Sequence, residues 1–187
     1  FHEWKRITEE DEGIVALDRI IVGVCEKKRF LDLFENFILF DNSLGKVVKL
    51  IARNHQFIGV NKAIENIQHK EQLYKLGKIS LEEKQKLGVF WHTQGSGKTA
   101  LAYYNVSYLK DYFQKQNTVA KFYFIVDRLD LAQQAKEEFV ARGLTVEMIN
   151  SKEDFINNIK TAGATATNVG VQTITVVNIQ KFSDYSI

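Results

Sequence analysis

The chain has 187 residues, of which 45% are hydrophobic and 26% are charged, and its formal net charge is +2. This length and balance predict a folded globular domain with a buried core. A net charge this small gives no argument for nucleic-acid binding by itself. No apolar run approaches the roughly 20 residues of a membrane span, and no signal peptide opens the chain, so we expect no membrane association and a cytoplasmic, reducing compartment.

The first half of the sequence has the spacing of amphipathic helices. Apolar residues recur at intervals of three and four in three stretches, at 14–24, 30–38 and 57 to about 74. A turn is predicted from composition at 41–43, and the short run at 47–51 fits either a strand or a helix. The first hundred residues are therefore predicted to be mostly helical.

Three smaller features bear on function. Cys25 is the single cysteine, so it forms neither an intrachain disulfide nor a metal cluster, and its apolar neighbours indicate core packing. The acidic run at 9–12 suits a solvated surface better than a metal site. The chain begins at Phe1 without methionine and stops directly after a strand-like run, which we interpret as a piece of a larger polypeptide.

From Leu87 onward, strands and helices alternate in the sequence. Apolar runs predict strands at 87–91, 122–126, 144–149 and 174–177, with helices near 97–116, 128–142 and 151–161. Such alternation predicts an α/β fold with a parallel sheet flanked by helices, which binds its ligands at the carboxyl ends of the strands. The composition of 161–169 predicts a loop.

A glycine-rich loop follows the first predicted strand. Gly95 and Gly97 permit turns that direct backbone N–H groups at a phosphate, and Lys98 offers a positive charge to the β and γ oxygens. Thr99 offers a hydroxyl to Mg²⁺ at the start of a helix. His92, where glycine or alanine is usual, is either a hydrogen-bonding residue or a spacer. A plain Gly-Ser turn is the alternative, but the order strand, loop, helix favours a nucleoside triphosphate site formed by Thr93, Gln94, Gly95, Ser96, Gly97, Lys98 and Thr99.

Three further segments narrow the class of protein. They are Ala-Arg-Asn-His-Gln at 52–56, Phe-Ile-Val-Asp-Arg-Leu-Asp-Leu at 124–131 and Val-Val-Asn-Ile-Gln-Lys-Phe at 176–182. With the loop, they resemble the ordered motifs of superfamily-two helicases, and in particular the motor (restriction) subunit of type I restriction-modification enzymes. The resemblance implies a helical linker at 1–50, which follows an upstream nuclease region, and the N-terminal part of a first RecA-like lobe at 51–187.

The resemblance also implies roles for single residues. In the family, the glutamine before the phosphate loop reads adenine; this matches Gln56, with Arg53 nearby, and a side-chain amide suits adenine because it can donate and accept at once. The later segments correspond to motifs that track the nucleic-acid backbone. Their candidates, each of which could instead be an ordinary solvated residue, are Arg128, Gln133, Gln180 and Lys181.

The resemblance implies ATP- and Mg²⁺-dependent translocation on double-stranded DNA, coupled to endonuclease cleavage, in a complex with modification and specificity subunits. No Asp-Glu-x-His box, second lobe or nuclease motif is found in the sequence. We therefore expect the chain alone to lack full ATPase and nuclease activity. The alternatives are another superfamily-two repair or remodelling helicase, a P-loop small-molecule kinase, and a non-catalytic nucleotide-binding module.

Overall fold

A computed structural model of the protein describes residue 10 and residues 17–43, 45–161 and 173–182. In chain order its helices and strands are α1 Leu17–Cys25, α2 Lys27–Asn36, β1 Ile38–Asp41, β2 Val48–Ile51, α3 Asn54–Lys75, α4 Leu81–Gln85, α5 Lys98–Gln114, β3 Tyr123–Val126, α6 Leu129–Ala141, β4 Thr145–Ile149, α7 Lys152–Thr161 and β5 Thr173–Asn178, followed by a 3-10 turn at Gln180–Phe182. The described residues fall into two compact units, one within 1–38 and 51–105 and the other within 39–50 and 106–187.

The core of the first unit is built on one face of α3. Its buried apolar residues recur at helical spacing: Phe57, Val60, Ile64 and Ile67. Phe37, which is fully buried, lies with its ring centroid 4.7 Å from that of Phe57 and 5.6 Å from that of Tyr104 on α5. This aromatic cluster holds the first part of α3 beside the first part of α5.

The second unit contains a parallel three-stranded sheet in the order β3-β5-β4. The register pairs Val126 with Asn178 and Ile149 with Val177, so that the three strands end at the same edge. The central strand β5 is buried from Ile174 to Asn178. Helix α6 covers the sheet through apolar side chains, with the Phe139 ring 5.2 Å from that of Phe124. The predicted α/β fold with a parallel sheet flanked by helices is confirmed.

A buried ion pair joins β1 to the end of α6 in the second unit. Arg142 Nε donates to Asp41 Oδ2 at 3.1 Å and a terminal guanidinium nitrogen donates to Glu138 Oε2 at 2.9 Å, with the Arg142 and Asp41 side chains only 11% and 10% exposed. Burial acts to raise the pKa of Asp41, but hydrogen bonds from Ser43 and the charge of Arg142 outweigh it and hold the pKa below its usual value. The Asn42 N–H donates to Ala141 O at 3.0 Å beside the pair.

Most predicted helices and strands are confirmed, with small shifts at their ends. The second predicted helix is too long, because α2 ends at Asn36 and Ile38 begins β1. The ambiguous run at 47–51 contains β2, which pairs with β1. The predicted turn at 41–43 is confirmed, since the Ser43 N–H donates to Asp41 Oδ1. The 1–50 and 51–187 division stays a prediction.

Two predictions about the first unit are wrong. Cys25 is exposed instead of packed in the core, because it is the last residue of α1, where Val24 is the buried position. Residues 87–91 form no strand. Gly88 has a φ of 138°, outside the strand range, and the Asn66 side chain of α3 donates to the carbonyl of Leu87.

Some predictions fall outside the described residues. They are Ile14, the acidic run at 9–12 except Glu10, and the loop at 161–169 except Thr161, which ends α7. Among the helices that are described, none combines the length and apolar character needed to cross a membrane.

Candidate functional site

The glycine-rich loop folds back on itself before α5 begins. Gly95 and Gly97 have φ angles of 74° and 82°, a region that favours glycine, which agrees with the turns expected at both positions. The Ser96 N–H donates to Thr93 O at 3.4 Å, and Lys98 Nζ donates to the same carbonyl at 2.8 Å. The ammonium group of Lys98 therefore contacts a neutral backbone oxygen.

Two side chains from the first turn of α3 contact this loop. Gln56 is only 4% exposed; its Nε2 donates to Gly97 O at 3.0 Å, and its Oε1 accepts from the Arg53 N–H at 2.8 Å. His55 Nε2 lies 2.9 Å from Ser96 O. The predicted adenine-reading segment and the phosphate loop therefore lie in direct contact, although 41 residues separate each contacting pair.

The two histidines of this site lie together. The His55 and His92 ring centroids are 5.0 Å apart, and the His92 ring lies 6.4 Å from that of Phe90 in a stacked arrangement. His92 thus contacts other aromatic rings and is more than a spacer. Sequence reasoning did not assign a role to His55; its only signal was its position directly before Gln56.

The candidate DNA-contacting residues lie in the second unit. Arg128 and Gln180 each follow the carboxyl end of one of two paired strands, β3 and β5, whose last residues are in register. Arg128 forms an ion pair with Asp130 at 2.5 Å, with the two side chains 58% and 68% exposed, and this hydrogen bond and charge raise the pKa of Arg128. Gln133 Nε2 donates to Glu137 Oε1 at 2.6 Å.

The turn that carries the last two DNA candidates is fixed by Asn178. The Gln180 N–H donates to Asn178 Oδ1 at 2.8 Å, and Lys181 lies in the same 3-10 turn, with its side chain outside the described part. The structure therefore brings Arg128 and Gln180 to one edge of the sheet. Gln133 lies further along, on α6.

Comparison with known proteins assigns the chain to a family. Residues 55–186 match the SWI2/SNF2 ATPase family. The chain belongs to this family. The matched range begins at His55, so it includes Gln56, the loop and the two later segments, while Arg53 lies outside it.

Individual relatives of this SWI2/SNF2 ATPase are endonuclease subunits of type I restriction enzymes. The HindI subunit from Haemophilus influenzae is 30% identical over 146 residues, which cover 74% of this chain and 13% of that protein. The putative MjaVIIP subunit from Methanocaldococcus jannaschii is 29% identical over 189 aligned positions, which cover 95% of this chain and 16% of that protein. The putative MjaIXP subunit from the same organism is 31% identical over 125 residues, which cover 66% of this chain and 11% of that protein. The chain thus spans less than a fifth of the length of these relatives.

The loop of this SWI2/SNF2 ATPase is suited to the phosphates of a nucleotide. Lys98 is exposed and its charge is not neutralised by the carbonyl it contacts. Ser96 Oγ is buried and has no hydrogen-bond partner among the described residues. A loop with positive-φ glycines, a cation and an unused hydroxyl at a helix N-terminus is suited to an anion with many acceptor oxygens.

Gly97→Ala is expected to weaken nucleotide binding more than Gly95→Ala. Both substitutions place alanine at a positive φ. A Cβ at residue 97 would lie 2.8 Å from Gln56 Nε2, whereas a Cβ at residue 95 would have none of the described heavy atoms within 4 Å. Gly97→Ala must therefore also displace Gln56 from Gly97 O. Titration of both variants with Mg-ATP measures the difference, and equal losses would contradict it.

Proposed function

We propose that this chain is the ATP-binding part of an ATP-dependent translocase on double-stranded DNA, whose motion drives cleavage by a type I restriction endonuclease. The observation that carries the proposal is the contact of Gln56 with Gly97, which joins the upstream glutamine motif to the phosphate loop. The restriction-enzyme names of the relatives support the substrate and the coupled cleavage.

The nucleotide would be held by the loop residues and the first turn of α3. Lys98 is proposed to bind the β and γ phosphates, and Thr99 to bind Mg²⁺, with Thr93, Gln94, Gly95, Ser96 and Gly97 forming the rest of the loop. Mg-ATP supplies the phosphoanhydride bond whose hydrolysis drives motion. These residues bind and orient it by charge and hydrogen bonding.

Gln56 can serve adenine without leaving the loop. A primary amide has two N–H donors and an oxygen with two lone pairs, and the contacts to Gly97 and Arg53 use one of each. One donor and one acceptor remain for the amino group and a ring nitrogen of adenine. Arg53, which is exposed at the start of α3, is proposed as an accessory contact.

The sheet edge that carries Arg128 and Gln180 is proposed as the DNA-contacting face, with Gln133 and Lys181 as further contacts. In the structure Arg128 forms an ion pair with Asp130, so a DNA phosphate would have to replace the Asp130 carboxylate. Contacts of this type fix position without reading sequence. This agrees with a separate specificity subunit that selects the target.

Substitutions at the Arg128–Asp130 pair are expected to move DNA affinity in opposite directions. Arg128→Ala should weaken binding to the same extent for unrelated sequences and lower the salt slope by about one, since one phosphate contact is lost. Asp130→Asn should tighten binding because it removes the competing carboxylate. Affinity measured from low to moderate salt tests both, and a slope unchanged in Arg128→Ala would exclude this contact.

The remaining proposals concern the complete polypeptide. Modification and specificity subunits are the proposed partners and the cytoplasm the proposed location. Residues 1–50, whose helices α1 and α2 are followed by β1 and most of β2, are proposed as a linker and 51–187 as part of the first RecA-like lobe. The chain alone is expected to hydrolyse little ATP, and turnover by the purified chain at a DNA-stimulated rate would contradict this.

The proposed function is tested by ATPase assays of the complete polypeptide with and without double-stranded DNA. Stimulation by DNA supports a motor, and its absence favours the P-loop kinase alternative. Cleavage of unmodified DNA that requires ATP then separates a restriction motor from a repair or remodelling helicase. The relatives, which carry restriction-enzyme names, favour the restriction motor.

A further inference from the structure

Two consecutive side chains of α3 contact two consecutive carbonyls of the phosphate loop. His55 contacts Ser96 O at 2.9 Å and Gln56 contacts Gly97 O at 3.0 Å. Because a carbonyl oxygen only accepts hydrogen bonds, His55 Nε2 must carry the proton and donate it. The first turn of α3 therefore fixes the direction of two neighbouring peptide groups.

The direction of a carbonyl determines the direction of the N–H in the same peptide group. A trans peptide is planar, with its C=O and N–H on opposite sides. The carbonyl of Ser96 belongs to the peptide that carries the Gly97 N–H, and the carbonyl of Gly97 to the peptide that carries the Lys98 N–H. With both carbonyls directed at α3, both N–H groups are directed away from α3.

Among the described residues, the two peptides differ in how many donors contact their carbonyl oxygens. Gly97 O also accepts from the Leu101 N–H at 3.0 Å, as the first hydrogen bond of α5, so Gln56 is not its only donor. At Ser96 O the side-chain donor is His55. The peptide between Ser96 and Gly97 leads into Gly97, whose positive φ and missing side chain leave the backbone on that side less constrained.

We infer that His55 is a positioning residue of the nucleotide site: its hydrogen bond to Ser96 O orients the Gly97 N–H toward the phosphates. This rests on the proposed binding of ATP by the loop. His55 is half-buried on α3, which the contact of Phe57 with Phe37 anchors to the core of the first unit. The ring thus acts on the loop from a helix that is itself packed against the core.

The test compares three substitutions of His55 with one at His69, an exposed histidine of the same helix. His55→Leu removes the donor at similar size, His55→Asn keeps a shorter amide that does not reach Ser96 O, and His55→Gln returns a donor at similar reach. In the complete polypeptide, His55→Leu and His55→Asn should weaken Mg-ATP binding about fivefold to tenfold, the effect of one hydrogen bond. His55→Gln should stay within about twofold of the wild type, like His69→Leu.

Competition experiments locate the effect on the phosphates. Pyrophosphate should lose affinity for His55→Leu as much as Mg-ATP does, while adenosine should bind unchanged. If adenosine weakens equally, or if His55→Asn binds Mg-ATP as tightly as the wild type, the inference is wrong even though the loop binds ATP. If the wild type itself does not bind Mg-ATP, the proposed function fails. Should His55→Leu not fold, the comparison of His55→Gln with His55→Asn decides.

Discussion

Replacement of Lys98 by alanine is expected to reduce ATP hydrolysis by the complete polypeptide about 10²- to 10³-fold. This is the usual effect of removing one preorganised hydrogen-bond donor that stabilises the charge developing in the transition state. In the structure its ammonium donates to Thr93 O, which is neutral and exchangeable for a phosphate oxygen. Alanine removes this charge together with its hydrogen bond to Thr93 O. DNA translocation and cleavage should be lost together with hydrolysis.

The matched control is Lys115→Ala, at an exposed lysine just beyond the end of α5. It removes the same charge and should leave ATP turnover within the error of the assay. Steady-state hydrolysis in the presence of DNA compares the two variants. Full translocation and cleavage by Lys98→Ala would support the alternative of a non-catalytic nucleotide-binding module.

Replacement of Arg142 by methionine is expected to lower the free energy of unfolding of the second unit by about 3–5 kcal/mol, because it leaves Asp41 buried without its cation. The two side chains are 11% and 10% exposed. A double variant, Arg142→Met with Asp41→Asn, should recover most of this loss, since the amide oxygen still accepts from the Ser43 N–H and no charge is buried.

The Arg128–Asp130 pair provides the control, because it has the same chemistry on an exposed surface. Asp130→Asn should leave stability unchanged, as expected for ion pairs in water. Hydrogen exchange at the Asn42 amide, which donates to Ala141 O, reports local opening beside the buried pair. Unchanged protection in Arg142→Met would show that the pair does not stabilise the unit.

The buried Arg142–Asp41 pair makes the stability of the second unit depend on pH. The pKa of Asp41 is lower in the folded protein than its ordinary value, so its carboxylate stabilises the fold fully above that ordinary value of about 3.9. The contribution is lost as pH falls through the lower, folded pKa. Between neutral pH and pH 3, the urea midpoint of the wild type should fall more than that of Arg142→Met. If the urea midpoints of the two proteins fell equally with pH, the pH dependence would not come from the Arg142–Asp41 pair.

The sequence was a good guide where local periodicity and burial agree. The spacing of Phe57, Val60 and Ile64 predicted α3, and three of the four apolar runs became the strands of the sheet. The fourth run, at 87–91, is also apolar, but Val89 and Trp91 are 89% and 93% exposed. A strand depends on hydrogen bonds from neighbouring backbone, which composition does not encode.

The members of the candidate site could be proposed from the sequence, whereas the contacts between them could not. Glycines, a lysine and a threonine in a fixed order predict a phosphate loop. The hydrogen bonds of His55 and Gln56 to the loop depend on how α3 packs against α5, through residues such as Phe37 and Tyr104. A contact across 41 residues with a backbone carbonyl leaves no pattern in the sequence.

Helix α3 also has mechanical consequences, because its first turn is attached to the phosphate loop. It has 22 residues, which at 1.5 Å per residue make a rod about 33 Å long. A tilt of about 5° at the end held by Ser96 and Gly97 would carry the opposite end through about 3 Å. A rearrangement of the loop that tilted α3 would therefore move the far end of the helix much further than the end that contacts the loop.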